Sequence, residues 1–324
     1  MNINSTTKGF KMINVSECNS VSEVLETIGA ENDYSLRPIP QFPTYRGVFD
    51  GNDEPVAIVN KTYPLMQPAK AFNYVDSLRE GLDMTFDTAG FTKGGRRLFL
   101  SLRKTNALVI DPKVGDTMDE VVYFWTSFDG SLQHTINKML ERLVCTNGMV
   151  AKDSQSVIKV KHSSQMEDKL QTYVDTQMEE IKSTYAETKQ IIYSLAETPV
   201  TPSDAREVIN RLFKGESKRA ENIRDEVFSR FNKGMGNRGE TAWDLVNGIT
   251  EYQNHGKAHR SSETSSVAEN RLTSLTLGAD ATLMNRVWST CLGCNSKTIS
   301  CIFETSTPNH TNICAWGIPC ILGK

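Results

Sequence analysis

Apolar and polar residues alternate with a period of two in several stretches between about residues 55 and 150, as half-buried β-strands do. Two pairs of these stretches are joined by residues that tolerate positive φ. Thr85–Phe91 and Arg97–Arg103 flank Gly94–Gly95, and Val121–Phe128 and Ser131–Ile136 flank Asp129–Gly130. Gly-Gly and Asp-Gly between alternating strands are strong signals for tight turns. The sequence therefore predicts two antiparallel β-hairpins.

The hydrophobic period changes to that of a helix after about residue 166. From Val174 to Leu195, apolar side chains recur at alternating spacings of four and three, which predicts a long amphipathic helix with a coiled-coil-like seam. Thr201, Pro202 and Asp204 then mark the start of a second helix, because they match a capping residue, a first-turn proline and a capping-box acid. Four later segments also have helical periodicity: 218–231, 241–254, 265–277 and 280–292.

Strands followed by helices predict an α+β fold, with a mostly antiparallel sheet of hairpins in the N-terminal half and a helical C-terminal half. We divide the chain into a leader with an extended connection (1–50), a sheet-rich core (51–165), a helical region that packs on it (166–292) and a cysteine-bearing tail (293–324). The extended connection is indicated by the prolines at 38, 40 and 43.

Composition narrows the class of protein without identifying a partner. The 324 residues include 38% hydrophobic and 23% charged residues, and 36 Lys+Arg against 39 Asp+Glu give a net charge of -3. These values are typical of an ordinary globular protein and exclude a wholly disordered, collagenous or membrane-spanning chain. The first residues lack the apolar core of a signal peptide, so a cytoplasmic location is expected.

Local clusters of cations are more informative than the net charge. The first cluster covers the predicted turn and second strand of the first hairpin, has no acidic residue, and includes one phenylalanine. Such a hairpin can present cations to phosphates and an aromatic ring to bases. The alternative is a solvated edge strand, since lysine and arginine there prevent edge-to-edge pairing. The residues of this cluster are Lys93, Arg96, Arg97, Phe99, Arg103 and Lys104.

Two further cationic groups extend the candidate nucleic-acid surface. Lys159 and Lys161 lie on a predicted strand, where alternate residues share a face. Arg230, Lys233 and Arg238 lie in and beside a glycine-rich segment between two predicted helices, which can follow a nucleic-acid backbone. The alternative for this segment is a plain interhelical connection.

Signature motifs of the common catalytic and nucleotide-binding classes are missing from the sequence. The tail instead has a CxxC pair, Cys291 and Cys294, followed by Cys314 and Cys320. A structural zinc site needs a second close pair, and the second two cysteines are widely spaced. We therefore predict that the protein has no cofactor and that its tail is irregular, with unpaired thiols. A structural zinc site in the tail is the alternative.

Three stretches resemble a known family. They are the hairpin Ser127–Ser131, the segment Arg142–Gly148 followed by Val160–His162, and Thr241–His255, which is similar to T-x-W-x-x-x-N-x-x-T-E-Y-x-x-H. The family is that of phage/plasmid-like proteins of unknown function (domain of unknown function 932), and the resemblance covers roughly residues 55–290. The motif residues are Asp129, Gly130, Arg142, Cys145, Asn147, His162, Trp243, Asn247, Thr250, Glu251, Tyr252 and His255.

The resemblance implies a protein of a mobile genetic element in a bacterial host. Spacings of four, seven and eight put Trp243, Asn247, Thr250 and Glu251 on one helical face, where they form either a structural polar cluster against the Cys145 turn or a ligand site.

We expect a protein that binds single- or double-stranded DNA and holds single strands during recombination or replication. The alternative is an interaction module without catalysis that acts on a host process. Its seam at Val174–Leu195 would then dock a partner or a second copy. An enzyme ranks third, and no membrane contact is expected.

Overall fold

The computed structural model describes residues 11–111, 116–142, 147–150, 157–163, 166–262 and 265–293. Its strands are β1 (Lys11–Asn14), β2 (Ser35–Pro38), β3 (Tyr45–Phe49), β4 (Pro55–Asn60), β5 (Thr85–Thr92), β6 (Arg97–Asp111), β7 (Asp116–Ser127), β8 (His134–Arg142), β9 (Asn147–Val150) and β10 (Val157–Val160). Its α-helices are α1 (Val21–Ile28), α2 (Pro68–Phe72), α3 (Val75–Gly81), α4 (Met166–Glu197), α5 (Pro202–Leu212), α6 (Lys218–Lys233), α7 (Ala242–Glu251), α8 (Val267–Leu277) and α9 (Ala279–Gly293). A π-helix, Tyr252–Gly256, continues α7.

The strands form two antiparallel sheets, and the predicted α+β fold is confirmed. The main sheet has the order β1-β5-β6-β7-β8-β10, and β9 pairs with the other end of β8. A small second sheet has the order β2-β3-β4. Helices from α4 onward make up the C-terminal half.

Both predicted hairpins are present, as β5–β6 and β7–β8. The first turn holds Lys93, Gly94 and Gly95 at positive φ, with values of 54°, 65° and 89°. Gly130 in the second turn has φ of 72°. A lysine at positive φ is higher in energy than a glycine, so the surroundings of Lys93 hold its backbone in this conformation.

The main sheet is covered on both faces. On one side, which we call the α4 face, Tyr185 donates its hydroxyl to the Val121 carbonyl at 2.7 Å, and Lys138 donates to Thr184 at 2.9 Å. On the other side, which we call the α8 face, the Asn137 side chain donates to the carbonyl of Thr276. The sheet is therefore an inner layer between helices, as large antiparallel sheets with two apolar faces require.

Two expectations are corrected by this packing. The first fifty residues are not merely a leader and a connection, because β1 pairs with β5 and α1 buries Val24 and Leu25 in the core. The seam of α4 is not a free docking face either, since Ile181, at 0% exposed, lies in the core with Ile192 and Leu195. The side chain of Val174 lies outside the described residues. Self-association stays a prediction, but the buried residues of the seam are not available as its interface.

Within the residues that the structure describes, none of the helices is both long and apolar enough to cross a membrane.

Candidate nucleic-acid interface

The candidate cations fall at two opposite ends of the main sheet. Lys93, Arg96 and Arg97 lie at the β5–β6 turn. Lys159 and Lys161 join them, because Val160 at the end of β10 pairs with His134, directly after the β7–β8 turn. We call these five residues the basic end. Arg103 lies six residues along β6, or about 20 Å away, so it does not belong to this group.

Arg103 is neutralised by three carboxylates at the other end of the sheet. Its guanidinium lies 3.1 Å from Asp87, 2.8 Å from Asp119 and 2.5 Å from Glu141. Burial acts to lower the pKa of Arg103, but hydrogen bonds and the charges of Asp87 and Glu141 raise it well above its usual value. The interpretation of Arg103 as a phosphate contact is therefore wrong, because its donors are already used by carboxylates.

Phe99 does not present a ring to a nucleic-acid base. It is 0% exposed and stacks on Trp125 in the sheet, with ring centroids 5.0 Å apart. A base cannot reach a ring that is already covered on the α8 face. The stacking prediction at Phe99 is therefore wrong.

Two other candidate cations are also paired with carboxylates. Lys104 lies 3.1 Å from Asp83, and Arg230 lies 2.9 Å from Glu226 and 2.7 Å from Glu251. Lys233 and Arg238 are exposed, but they belong to the segment that contacts the far end of the sheet. Their position separates them from the basic end.

The five residues of the basic end keep their charges available. Lys159 and Lys161 are exposed, and Lys93, Arg96 and Arg97 are half-buried. Arg96 donates to the carbonyl of Lys93 at 2.8 Å, and Arg97 donates to the hydroxyl of Ser131 at 3.0 Å. These neutral acceptors orient the guanidinium groups without neutralising them. Among the described residues, none of the five has a carboxylate within ion-pair distance.

His162 fixes the chain that leaves β10 to the β7–β8 turn. Its Nδ1 lies 2.7 Å from the hydroxyl of Tyr63, and its Nε2 lies 3.4 Å from the hydroxyl of Thr126. The Tyr63 hydroxyl also reaches the carbonyl of Ser127 at 3.2 Å. Burial lowers the pKa of His162, and the charge of Asp129 opposes that shift. A neutral His162 thus holds neighbouring Lys161 at the end of the sheet.

A second group of motif residues lies at the far end and organises the glycine-rich segment. Arg142 is 1% exposed and donates to the carbonyl of Met235 at 3.0 Å. Glu251 accepts from Arg230 at 2.7 Å and from the amide of Met235 at 3.2 Å. A Cβ on Gly234 would lie only 2.4 Å from the Glu251 carboxylate, so this residue must be glycine. The segment is therefore fixed in place, unlike a loop that adapts to a ligand.

The comparison with protein families supplies the remaining observation. The model of a family described as "Domain of unknown function (DUF932)" matches residues 55–275, which is more than half of the chain. The chain belongs to this family. No curated protein and no solved structure matches it. The match therefore establishes the family without establishing an activity.

The DUF932 match contains the motif residues at both ends of the sheet. Thr250 donates its hydroxyl to the carbonyl of Asn247, and β9 packs beside α7. Asn247 is 0% exposed, and neither atom of its amide has a hydrogen-bond partner among the described residues. Trp243 and Tyr252 are buried, whereas His255 is exposed. Arg142 and Glu251 thus have the contacts of structural polar residues.

Several predicted residues fall on parts of the chain that the structure does not describe. Cys145, Cys294, Cys314 and Cys320 lie outside the described residues, as do the side chains of Asn147 and Cys291. Among the residues that are described, no three His, Cys, Asp or Glu side chains are grouped as metal ligands would be. The zinc alternative stays a prediction.

A buried histidine that the sequence did not single out makes the protein sensitive to acid. His134 is 0% exposed, and its Nε2 lies 2.6 Å from the Tyr74 hydroxyl. Burial, with a smaller effect of His162, lowers the pKa of His134 to about 3.

We therefore expect the free energy of unfolding to fall by about 2 kcal/mol between pH 7 and pH 5. The sign follows because the unfolded chain takes up a proton near pH 6.5 and the native His134 does not. Denaturation of the His134→Gln variant in urea should show a smaller pH dependence. His255→Gln, which changes an exposed histidine, should keep the dependence of the natural chain, and an unchanged dependence in His134→Gln would contradict the assignment.

Proposed function

We propose that the protein binds nucleic acid through the basic end, by contacts to phosphates. The observation that carries the proposal is the contrast between two sets of cations. Arg103, Lys104 and Arg230 have carboxylate partners, whereas the five cations of the basic end are not ion-paired with any described residue. Unpaired lysines and arginines supply the electrostatic part of nucleic-acid binding.

The spacing of these cations suits an extended polyanion. β7 and β8 separate β6 from β10, so Arg97 and Lys159 lie three strand spacings apart, about 14 Å across the sheet. Lys93 and Arg96 in the first turn extend the same end. A phosphate backbone that crosses the two turns would meet successive cations along this line.

The expected mode of binding is independent of base sequence. Phe99 is buried, so the basic end offers charge without the stacking ring that sequence reasoning included. Affinity should depend strongly on salt and little on base composition. The role that we propose is to hold single strands during recombination or replication of a mobile element. The family resemblance and the unpaired charge of the basic end both support this role.

Binding of a labelled single strand and a labelled duplex, measured by fluorescence anisotropy at about 50 mM salt, tests the proposal. The triple variant Arg97→Ala, Lys159→Ala, Lys161→Ala should bind on the order of a hundredfold more weakly, because three phosphate contacts are removed. Lys233→Ala removes an exposed cation at the far end and should leave the affinity unchanged. Equal losses in both variants would show that only the overall charge matters.

A further inference from the structure

A cavity of about 260 Å³ separates the α8 face of the sheet from helix α8. The helix is anchored over the sheet near both of its ends. Near its N-terminus, Glu269 accepts the amide of Lys93 at 2.7 Å, and near its C-terminus the carbonyl of Thr276 accepts from Asn137. Between these anchors, helix and sheet leave space that no described side chain fills.

The walls of the cavity are largely apolar. Side chains of the sheet and of α8 contribute to them, and Leu272 and Leu275 line the cavity yet stay half-buried. An apolar cavity of about 150 Å³ is large enough to take up benzene. This cavity therefore has room for an aromatic-sized molecule. The apolar lining residues are Met12, Val121, Met139, Ala268, Leu272 and Leu275.

Arg271 gives the cavity an unpaired positive charge. It lines the cavity, it has no ion pair with a described residue, and its Nε is buried without a hydrogen-bond partner. The Nε itself is covered by protein, so a ligand in the cavity would meet the terminal nitrogens of Arg271, whose planar fork matches a carboxylate or a phosphate. The wall thus favours an anion at this point.

The carboxylate on the opposite wall restricts the charge of that anion. Glu141 also lines the cavity, but its Oε2 accepts from Arg103 at 2.5 Å. Asp87 and Asp119 surround the same guanidinium, so three carboxylates share one cation. Their excess negative charge disfavours a dianion, and a monoanionic carboxylate is favoured over a phosphate.

The end of helix α7 also contributes to the cavity. The π-helix Tyr252–Gly256 brings the buried side chain of Asn254 into the wall. Single π-turns are rare and occur frequently at functional sites. Asn254 and Arg271 both fall within residues 55–275, which the family model matches.

We propose that this cavity binds a small molecule with an apolar, aromatic-sized body and one carboxylate, which pairs with Arg271. The site lies under α8 and uses none of the five cations of the basic end.

Three probes of nearly equal size separate charge from shape: phenylacetate, phenethyl alcohol and phenethylamine. Isothermal titration of the whole chain should give saturable binding of phenylacetate, at least tenfold tighter than that of the alcohol, with the amine weakest. Arg271→Met keeps the apolar stem and should lose at least tenfold for phenylacetate while leaving the alcohol unchanged. Arg286→Met removes the same charge at an exposed position of α9, so this variant should bind the probes like the natural chain.

Leu272→Trp fills the space and should abolish binding of all three probes, with melting curves confirming that each variant is folded. Tighter binding of phenethylamine than of phenylacetate would overturn the proposal, because the wall would then recognise a cation through Glu141. Unchanged phenylacetate affinity in a folded Arg271→Met variant would also overturn it. Saturation by none of the probes would show that the cavity is only a packing defect.

Discussion

Replacement of Arg103 with methionine should lower the free energy of unfolding by about 3 kcal/mol at neutral pH. In the natural chain, Asp87, Asp119 and Glu141 share the counter-charge of one guanidinium, and the side chain of Asp119 is only 3% exposed. Methionine preserves the apolar stem but leaves three neighbouring carboxylates without a counter-charge. Urea denaturation followed by circular dichroism measures the loss.

Acid should reduce that loss. The three carboxylates repel one another only while they are ionised, and protonation removes the repulsion. The difference between the Arg103→Met variant and the natural chain should therefore be largest at neutral pH and shrink below about pH 5.

Lys104→Met is the matched control for Arg103→Met. Lys104 pairs with Asp83, whose side chain is 92% exposed, so this change should cost less than about 1 kcal/mol. If the two variants had the same free energy of unfolding, the three carboxylates would not need the positive charge of Arg103. Arg103 would then again be a candidate phosphate contact.

Replacement of Ile181 with alanine should cost about 2–5 kcal/mol, because it removes a fully buried side chain of α4 from the core. Its exposed neighbour Lys182, changed to alanine, should have little effect on stability. Denaturation and sedimentation of both variants distinguish the two roles of the seam. A change in assembly mass with unchanged stability in Ile181→Ala would show that the seam is an interface between copies.

Local features of this fold were predictable because they depend on a few neighbouring residues. The turn glycines identified both hairpins, and the Thr201 and Asp204 pair forms the capping box that begins α5. The change from a period of two to 3.6 marked the boundary between sheet and helices. The periodicity of α4 could not show what covers its seam, since a core helix and a docking helix have the same pattern.

The pairing of charges was not predictable, because it depends on contacts between distant residues. Arg103 and Glu141 meet through the register of three strands, and no local motif fixes that register. Phe99 is covered by Trp125 of the neighbouring strand, and Glu269 of α8 bonds to Lys93 across 176 residues of sequence. The pairing of β10 with β8 brings Lys159 and Lys161 to the end of the sheet that carries Arg97. The cations were thus predictable from the sequence, but their division into paired and unpaired groups was not.

The dependence of binding on salt tests the central claim most directly, because its slope counts the phosphates that the protein contacts. For a single strand, each contact contributes about 0.7 to the slope of log affinity against log salt. The natural chain and the variant Arg97→Ala, Lys159→Ala, Lys161→Ala should therefore differ in slope by about 2, with equal melting temperatures. Equal slopes for the two proteins, or no binding by the natural chain at about 50 mM salt, would contradict the assignment of the basic end to nucleic acid.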